Sequence, residues 1–434
     1  MNDRPRPPAL PAGLVEERSA QVARAAGHAL LGRMHTELMT DAWQRTLAPT
    51  PEGVFVRTGD IDAMWLRDSS MQMRPWLALA RLDRGVAEVV AGVNHLQWRM
   101  VRHDPYANAF RMPGHRLPAL RHPLDNHQIA RPLDPWIWER KYELDSLGLP
   151  VLLGDGLLRA TGDDGHLDWG AHAAVSDVVA LWRREQDHEH SAYRFVRLPA
   201  VMTRRHHDSL PRGGRGTPVA RTGMTWQGFR PSDDACAFGY NIPAQLLAGR
   251  ALGIIAGWCQ QLWSDATLAN QARELAAEIA AGVEQHGLLD DDSYAYEVDG
   301  LGGVLAVDDA NLPSLLSLPL LSDVGAEDPR YLATRRRILS SQNPWWHQGA
   351  VASGIGSPHT PGPRVWPLAL ATQGLTSNDR DEKVRLALLM ARTNGGTDRM
   401  HESFHVDDAT RFTRSWFAWA DMAFCELLGQ VADL

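Results

Sequence analysis

Apolar residues recur at helical spacing through most of this 434-residue chain. Val22, Ala26, Leu30, Met34 and Leu38 set the pattern in residues 14–40. The same period predicts helices over about 67–82, 85–101, 141–160, 166–187, 233–263 and 264–286. An eighth opens at VDDANLPSLLSLPLL, and four more cover about 329–341, 366–373, 379–393 and 414–428. Strand signals are few, with one short hairpin expected in the acidic run LLDDDSYAYEVDGLGG.

The polar and aromatic residues divide unevenly among the loops. Segments rich in Trp, His, Asp, Glu, Arg and Gly precede the second, fourth, sixth, eighth, tenth and twelfth predicted helices. Loops before the odd-numbered helices are short and plain. If the even helices form an inner ring and the odd ones an outer ring, all six rich loops open at the same end. The expected fold is therefore all-α: an (α/α)6 toroid, or six-hairpin barrel, with its active mouth at the N-terminal ends of the inner helices. Residues 1–13 are expected as a flexible arm and 14–434 as a single catalytic domain.

Composition narrows the partners. A hydrophobic fraction of 44% and a charged fraction of 22% are those of a globular protein. The net charge of −8 argues against nucleic acid and anionic membrane. The N-terminal stretch has charges and prolines but no apolar leader, and no run reads as long enough to cross a bilayer, so a cytoplasmic location is expected. Cys236, Cys259 and Cys425 are odd in number and far apart, which suggests neither a disulfide framework nor a zinc site. Sixteen Trp outnumber nine Phe and seven Tyr. Such a surplus is either core filler or a set of wide faces for the C–H side of a sugar ring.

The stretch 222–243, TGMTWQGFRPSDDACAFGYNIP, concentrates Trp226, Arg230, Asp233, Asp234 and Tyr240. Read plainly, Ser232 is an N-cap and the two Asp fill the first turn of the sixth helix. Read as chemistry, an acid/base carboxylate stands beside a stacking Trp. A second cluster, MHESFHVDD, flanks Glu402 with His401 and His405. The two His have the i, i+4 spacing of helical metal ligands, but the segment reads as loop, so no metal is expected and Glu402 fits a general base. In TGDIDAMWLRD, Asp60, Asp62 and Asp68 surround Trp65 and Arg67, a pattern that also suits helix capping and a surface pair. Asp308, Asp309 and Asn311 suit capping of the eighth helix, and His359 lies in a turn-rich loop.

Two carboxylate clusters far apart in sequence, with no phosphate loop, Rossmann fingerprint or nucleophile elbow, suit glycoside hydrolysis. Two alternatives remain at this stage. A sugar epimerase or isomerase on the same toroid would use a His pair as acid and base. A non-catalytic glycan-binding protein would need the Trp and Arg residues without both carboxylates.

The segments TGDIDAMWLRDSSMQMRPWL, ERKYELDSL, GMTWQGFRPSDDACAFGYNIPA, VDDANLPSLLSLP, SGIGSPHTP, VWPLALATQGLTS and MHESFHVDDATRFTRSWFAWADMAF together resemble glycoside hydrolase family 125. They run from about Gly59 to Phe424. The resemblance implies an (α/α)6 exo-α-1,6-mannosidase that acts with inversion on mannose-containing oligosaccharides, with no metal and no cofactor. It implies that an Asp of RPSDD is the general acid, either Asp233, the nearer to the loop, or Asp234, and that Glu402 is the general base. Arg67, Asp68, Asp308, Asp309 and His359 are then expected to line the terminal mannose subsite. Trp65, Trp226, Arg230 and His401 are expected to contact the sugar as well. The loop at 102–135, rich in His and Arg, departs from the pattern on the aglycone side.

Overall fold

The computed structural model describes residues 9–114, 134–197 and 209–434. In chain order its principal helices begin with α1 (Ala12–Ala26), α2 (Ala29–Thr46), α3 (Leu66–Ala80) and α4 (Arg84–His103). Next come α5 (Asp145–Thr161), α6 (Trp169–Glu185), α7 (Ile242–Gln261) and α8 (Ala266–His286). The C-terminal part supplies α9 (Leu318–Leu321), α10 (Pro329–Ile338), α11 (Pro367–Leu375), α12 (Arg380–Arg392) and α13 (Ala418–Val431).

These helices form an (α/α)6 toroid. The inner ring is α3, α5, α7, α9, α11 and α13: α3 packs on α5, α5 on α7 and α7 on α9, while α13 packs on both α11 and α3. The outer helices α2, α4, α6, α8, α10 and α12 alternate with them along the chain. Inner helices are covered on several sides and are therefore apolar around most of their circumference. Helix α7 illustrates this, because its length and mean hydropathy of 1.3 would suit a membrane span, contrary to the expectation that no run is long enough. Of its most apolar 18-residue window, 67% is instead buried within the protein.

Several expected boundaries move for identifiable reasons. Of the expected arm, residues 1–8 lie outside the described residues and α1 already begins at Ala12. The first predicted helix is two helices, because Gly27 ends α1 in the left-handed conformation at φ 70°. The eighth predicted helix is the single turn of α9. The peptide N–H groups of Leu315 and Leu316, just before it, are taken by the Asp308 carboxylate. Short antiparallel strands lead into the inner helices at the mouth. Met64–Trp65 pairs with Ala109–Phe110 ahead of α3, Tyr240–Asn241 with Glu297–Val298 ahead of α7, and Arg364–Val365 with Ser403–His405 ahead of α11. The expected hairpin is present as Glu297–Val298 against Val304–Leu305.

One buried group away from the mouth makes stability depend on pH. His35 of α2 is 5% exposed and its Nδ1 lies 2.8 Å from Ser19 Oγ of α1. Burial, aided by Arg18, pushes its pKa down to about 4. The unfolded chain thus binds the extra proton between pH 6.5 and 4, so stability is present above that window and is lost as pH falls through it. Between pH 7 and 4 the native chain is expected to lose about 3 kcal/mol more than His35→Gln. Urea unfolding of both at the two pH values checks this, and equal losses would contradict it.

Candidate active site

A cavity of about 310 Å³ lies at the N-terminal ends of the inner helices. Thr58, Ile61, Trp65, Arg67 and Asp68 line it at the entry to α3, and Pro231, Ser232 and Asp233 line it ahead of α7. Asn311 faces it before α9, and His359 and Trp366 face it before α11. Glu402, Arg414, Phe417 and Trp419 complete it around the start of α13. Two larger grooves of about 560 Å³ contain none of the candidate acid or base residues.

Arg67 is the electrostatic hub. Its Nη1 donates to Glu143 at 2.6 Å and Asp145 at 2.9 Å, its Nη2 donates to Asp233 at 3.1 Å, and Asp68 lies 3.6 Å from Nε. Four carboxylates therefore share one guanidinium. In a buried site such an excess of negative charge is costly, and the cluster responds by holding protons. Burial raises the pKa of Glu143, Asp145 and Asp68 above the usual carboxylate range. Asp233 goes the other way. Burial would raise it too, but Arg67 and then Lys141 outweigh that and bring it down to about 2. It is also the most accessible of the four, with a side chain 24% exposed toward the cavity.

The turn that carries Asp233 is not the first turn of a helix. Asp233 has φ 66°, and the turn is closed by Asp233 N–H to Arg230 O at 2.9 Å and Arg230 N–H to Asp234 O at 2.8 Å. Ser232 is consequently not an N-cap, and Asn241 caps α7 instead by accepting from Ala244 N at 3.1 Å. A helix from 233 would carry Pro243 in its interior, whereas starting at Ile242 puts Pro243 in the first turn, where its missing N–H costs nothing. A non-glycine residue held at positive φ is strained, and such residues concentrate at functional sites.

Across the cavity, Glu402 is 8% exposed, with Arg414 Nη1 3.8 Å from its Oε1. Its segment is fixed from behind by Asp421 in the first turn of α13, which accepts Met400 N–H at 2.7 Å. Burial lifts Asp421 to about 7. His359 Nδ1 lies 3.3 Å from Asp234 Oδ1. Burial disfavours the imidazolium, but the Asp234 hydrogen bond and charge carry its pKa up to about 9. The ring's side chain is 39% exposed to the cavity, which tempers that rise. An aromatic wall faces the charged one: Trp366 stands edge-on to His359 and to Phe417, and Phe417 edge-on to Trp419. The last and first inner elements meet here at a seam, where Gly59 bridges Phe417 and Arg414 Nε donates to Asp60 at 2.9 Å.

The cavity thus gathers Trp65, Arg67, Asp68, Asp233, His359 and Glu402 from among the expected residues. Others lie elsewhere. Trp226 is 1% exposed and stacks on His188 at 3.3 Å, packed where Gly239 leaves no room for a Cβ. Arg230 is held in a two-pronged pair with Glu297, at 2.5 and 3.1 Å, and stiffens the 230–234 turn. Asp308 is fully buried and accepts the peptide N–H groups of Leu315 and Leu316 in the loop before α9, so it does not cap that helix, whose N-cap position is Ser317 with no side-chain cap. Asp309 sits one layer behind, bonded to Asn311 and Ser357. His401 faces away, stacked on Phe412 and bonded to Arg414 O at 2.9 Å. Asp234 braces His359 rather than lining the cavity. Part of the His- and Arg-rich loop at 102–135, residues 115–133, lies outside the described residues.

A family model described as metal-independent alpha-mannosidase (GH125) matches residues 26–429. The chain belongs to glycoside hydrolase family 125. As a GH125 protein it is an α-mannosidase. It is 36% identical over 405 residues to the meiotically up-regulated gene 157 protein of Schizosaccharomyces pombe, an alignment spanning 90% of this chain and 78% of that one. It is also similar to a Streptococcus pneumoniae metal-independent alpha-mannosidase solved in a non-productive substrate complex with alpha-1,6-mannobiose. That structure is 40% identical, with a TM-score of 0.90 over 97% of this chain and 99% of the other. A glucoamylase from Saccharomycopsis fibuligera, 12% identical with a TM-score of 0.56 over 87% and 88% of the two chains, shares the fold. Within this GH125 site, Glu143, Asp145, Trp366, Arg414, Phe417 and Trp419 are residues that the sequence pattern does not single out. The available signal was their place just before or within the first turns of inner helices, where the other charged residues cluster.

Proposed function

We propose that this α-mannosidase removes terminal α-1,6-linked mannose from the non-reducing end of oligosaccharides with inversion, Asp233 serving as general acid and Glu402 as general base. The observation that carries this reading is that both carboxyls line the same cavity from segments ahead of α7 and α13, three places apart in the ring of six. Inversion needs two carboxyls on opposite faces of the sugar, about 6.5–9.5 Å apart, with room for a water between them. The cavity, at about 310 Å³ the small end of ligand pockets, suits one sugar ring and hence exo action. The α-1,6 linkage is inferred from the disaccharide bound by the Streptococcus pneumoniae relative.

Chemically, Arg67, Asp68, Asn311 and His359 offer hydrogen-bonding partners to the hydroxyls, and Trp366 and its aromatic neighbours offer an apolar surface. Asp233 gives its proton to the glycosidic oxygen as the C–O bond breaks and the electron pair leaves with that oxygen. Glu402 removes a proton from the water whose oxygen bonds to the anomeric carbon. Proton NMR of α-1,6-mannobiose hydrolysis should show β-mannose first, at a rate unchanged by a chelator. Early α-mannose would overturn inversion, and absence of turnover would overturn the linkage assignment.

A further inference from the structure

The proposed acid poses a difficulty that the buried layer behind it resolves. Arg67 and Lys141 favour the charged form of Asp233, yet a general acid must supply a proton. Glu143 lies directly behind. Its Oε2 accepts from Arg67 at 2.6 Å and from Ser146 Oγ at 3.0 Å, whereas its fully buried Oε1 faces no donor among the described residues. That carboxyl is within hydrogen-bonding reach of Asp233, a contact that becomes a hydrogen bond only when one of the two carries a proton.

The backbone fixes this juxtaposition. Gly228 and Phe229 N–H both donate to Tyr142 O, and Leu144 N–H donates to the Gln227 side chain at 3.2 Å. The segment holding Glu143 is thereby laid alongside the loop that carries Asp233. Around the pair stand Arg67 and Asp68 from α3, Lys141 before α5, Asp145 at its start and His359 before α11.

Building on the acid assignment above, we propose that Glu143 is a positioning residue that stores the catalytic proton and passes it through Asp233 to the leaving oxygen. As the glycosidic oxygen takes a proton from the Asp233–Glu143 pair, the C–O bond breaks and the leaving alcohol departs neutral. Glu143 is left as a carboxylate beside Arg67, which offsets the new charge. The proton that Glu402 draws from the attacking water returns to the pair through solvent after product leaves. Burial, which lifts Glu143 well above the usual carboxylate range, agrees with this placement of the proton.

Glu143→Gln tests it, because glutamine imitates protonated Glu143: its oxygen accepts from Arg67 and its amide donates to Asp233, but it releases no proton. The full-length variant and Asp233→Asn are assayed across pH on α-1,6-mannobiose and on 2,4-dinitrophenyl α-mannoside, whose leaving group needs no proton. Glu143→Gln should lose about 10-fold or more in kcat on mannobiose relative to its loss on the aryl mannoside, with the alkaline decline beginning at lower pH. Ser146→Ala, which removes a donor from the carboxylate form, should move that decline to higher pH. If Asp233→Asn fails to discriminate between the substrates, the acid assignment falls and this inference with it. If Asp233→Asn discriminates but Glu143→Gln loses equally on both, or neither Glu143→Gln nor Ser146→Ala moves the alkaline limb, Glu143 is merely structural and only this proposal is overturned.

Discussion

Glu402→Ala should lower turnover of α-1,6-mannobiose by about 10³-fold or more, within the range that a positioned acid or base contributes. Water is a poor nucleophile at an anomeric carbon unless its proton is drawn off as the bond forms. Glu402 is the carboxyl on the α13 side of the cavity, and Arg414 is 3.8 Å from it. The neighbouring His401 cannot replace it, because its ring nitrogens are already engaged with Arg414 O, Asn394 O and Thr397. Binding should change far less than rate, since Arg67, Asp68 and His359 remain. Azide, a nucleophile with no proton to lose, should restore part of the turnover. Steady-state kinetics with and without azide decide it, and a variant within 10-fold of the native rate would remove Glu402 as base.

Asp233→Asn should lose turnover in proportion to how badly the leaving group needs a proton. On mannobiose, whose departing sugar is a poor leaving group, the expected loss is about 10²–10⁴-fold. On 2,4-dinitrophenyl α-mannoside it should be under about 10-fold, because that phenolate leaves unassisted. Asparagine can still accept from Arg67 Nη2, so the geometry around the guanidinium is retained. The alkaline limb of the pH–rate profile should also flatten for the aryl substrate, as no acid remains to titrate. Equal losses on the two substrates would assign Asp233 to sugar binding instead, and would direct attention to Asp234 and its partner His359.

The alternation of rich and plain loops was readable because every inner helix receives its chain from the mouth, where charged and aromatic side chains gather. Glu402, Asp233, Arg67, Asp68 and His359 follow directly from that rule. What the letters alone do not convey is depth. Trp226 sits among the same turn residues as Asp233, but Gly239 and Gly228 let it sink against His188. Ser-Asp-Asp serves equally as a cap and as a tight turn, and only φ 66° at Asp233, with Pro243 fixing the helix start, separates them. Asp308 neither caps α9 nor reaches the cavity: buried, it holds the loop N–H groups of Leu315 and Leu316. Glu143 and Asp145 have no glycine, histidine or tryptophan beside them in YELDSL, so only their place at the start of an inner helix marks them. Their meaning comes from Arg67, 76 and 78 residues away.

The seam between Gly59 and Phe417 sets the order in which the enzyme can come alive during its own synthesis. Arg414 and Asp60, 354 residues apart, meet where the last inner helix, α13, docks against the first, α3. The proposed acid, Asp233, and Glu143 behind it emerge from the ribosome well before the proposed base, Glu402, does. Contacts so distant in sequence form late and slowly. The nascent chain therefore carries half a catalytic centre, open to water and chemically silent, until nearly its last helix is in place.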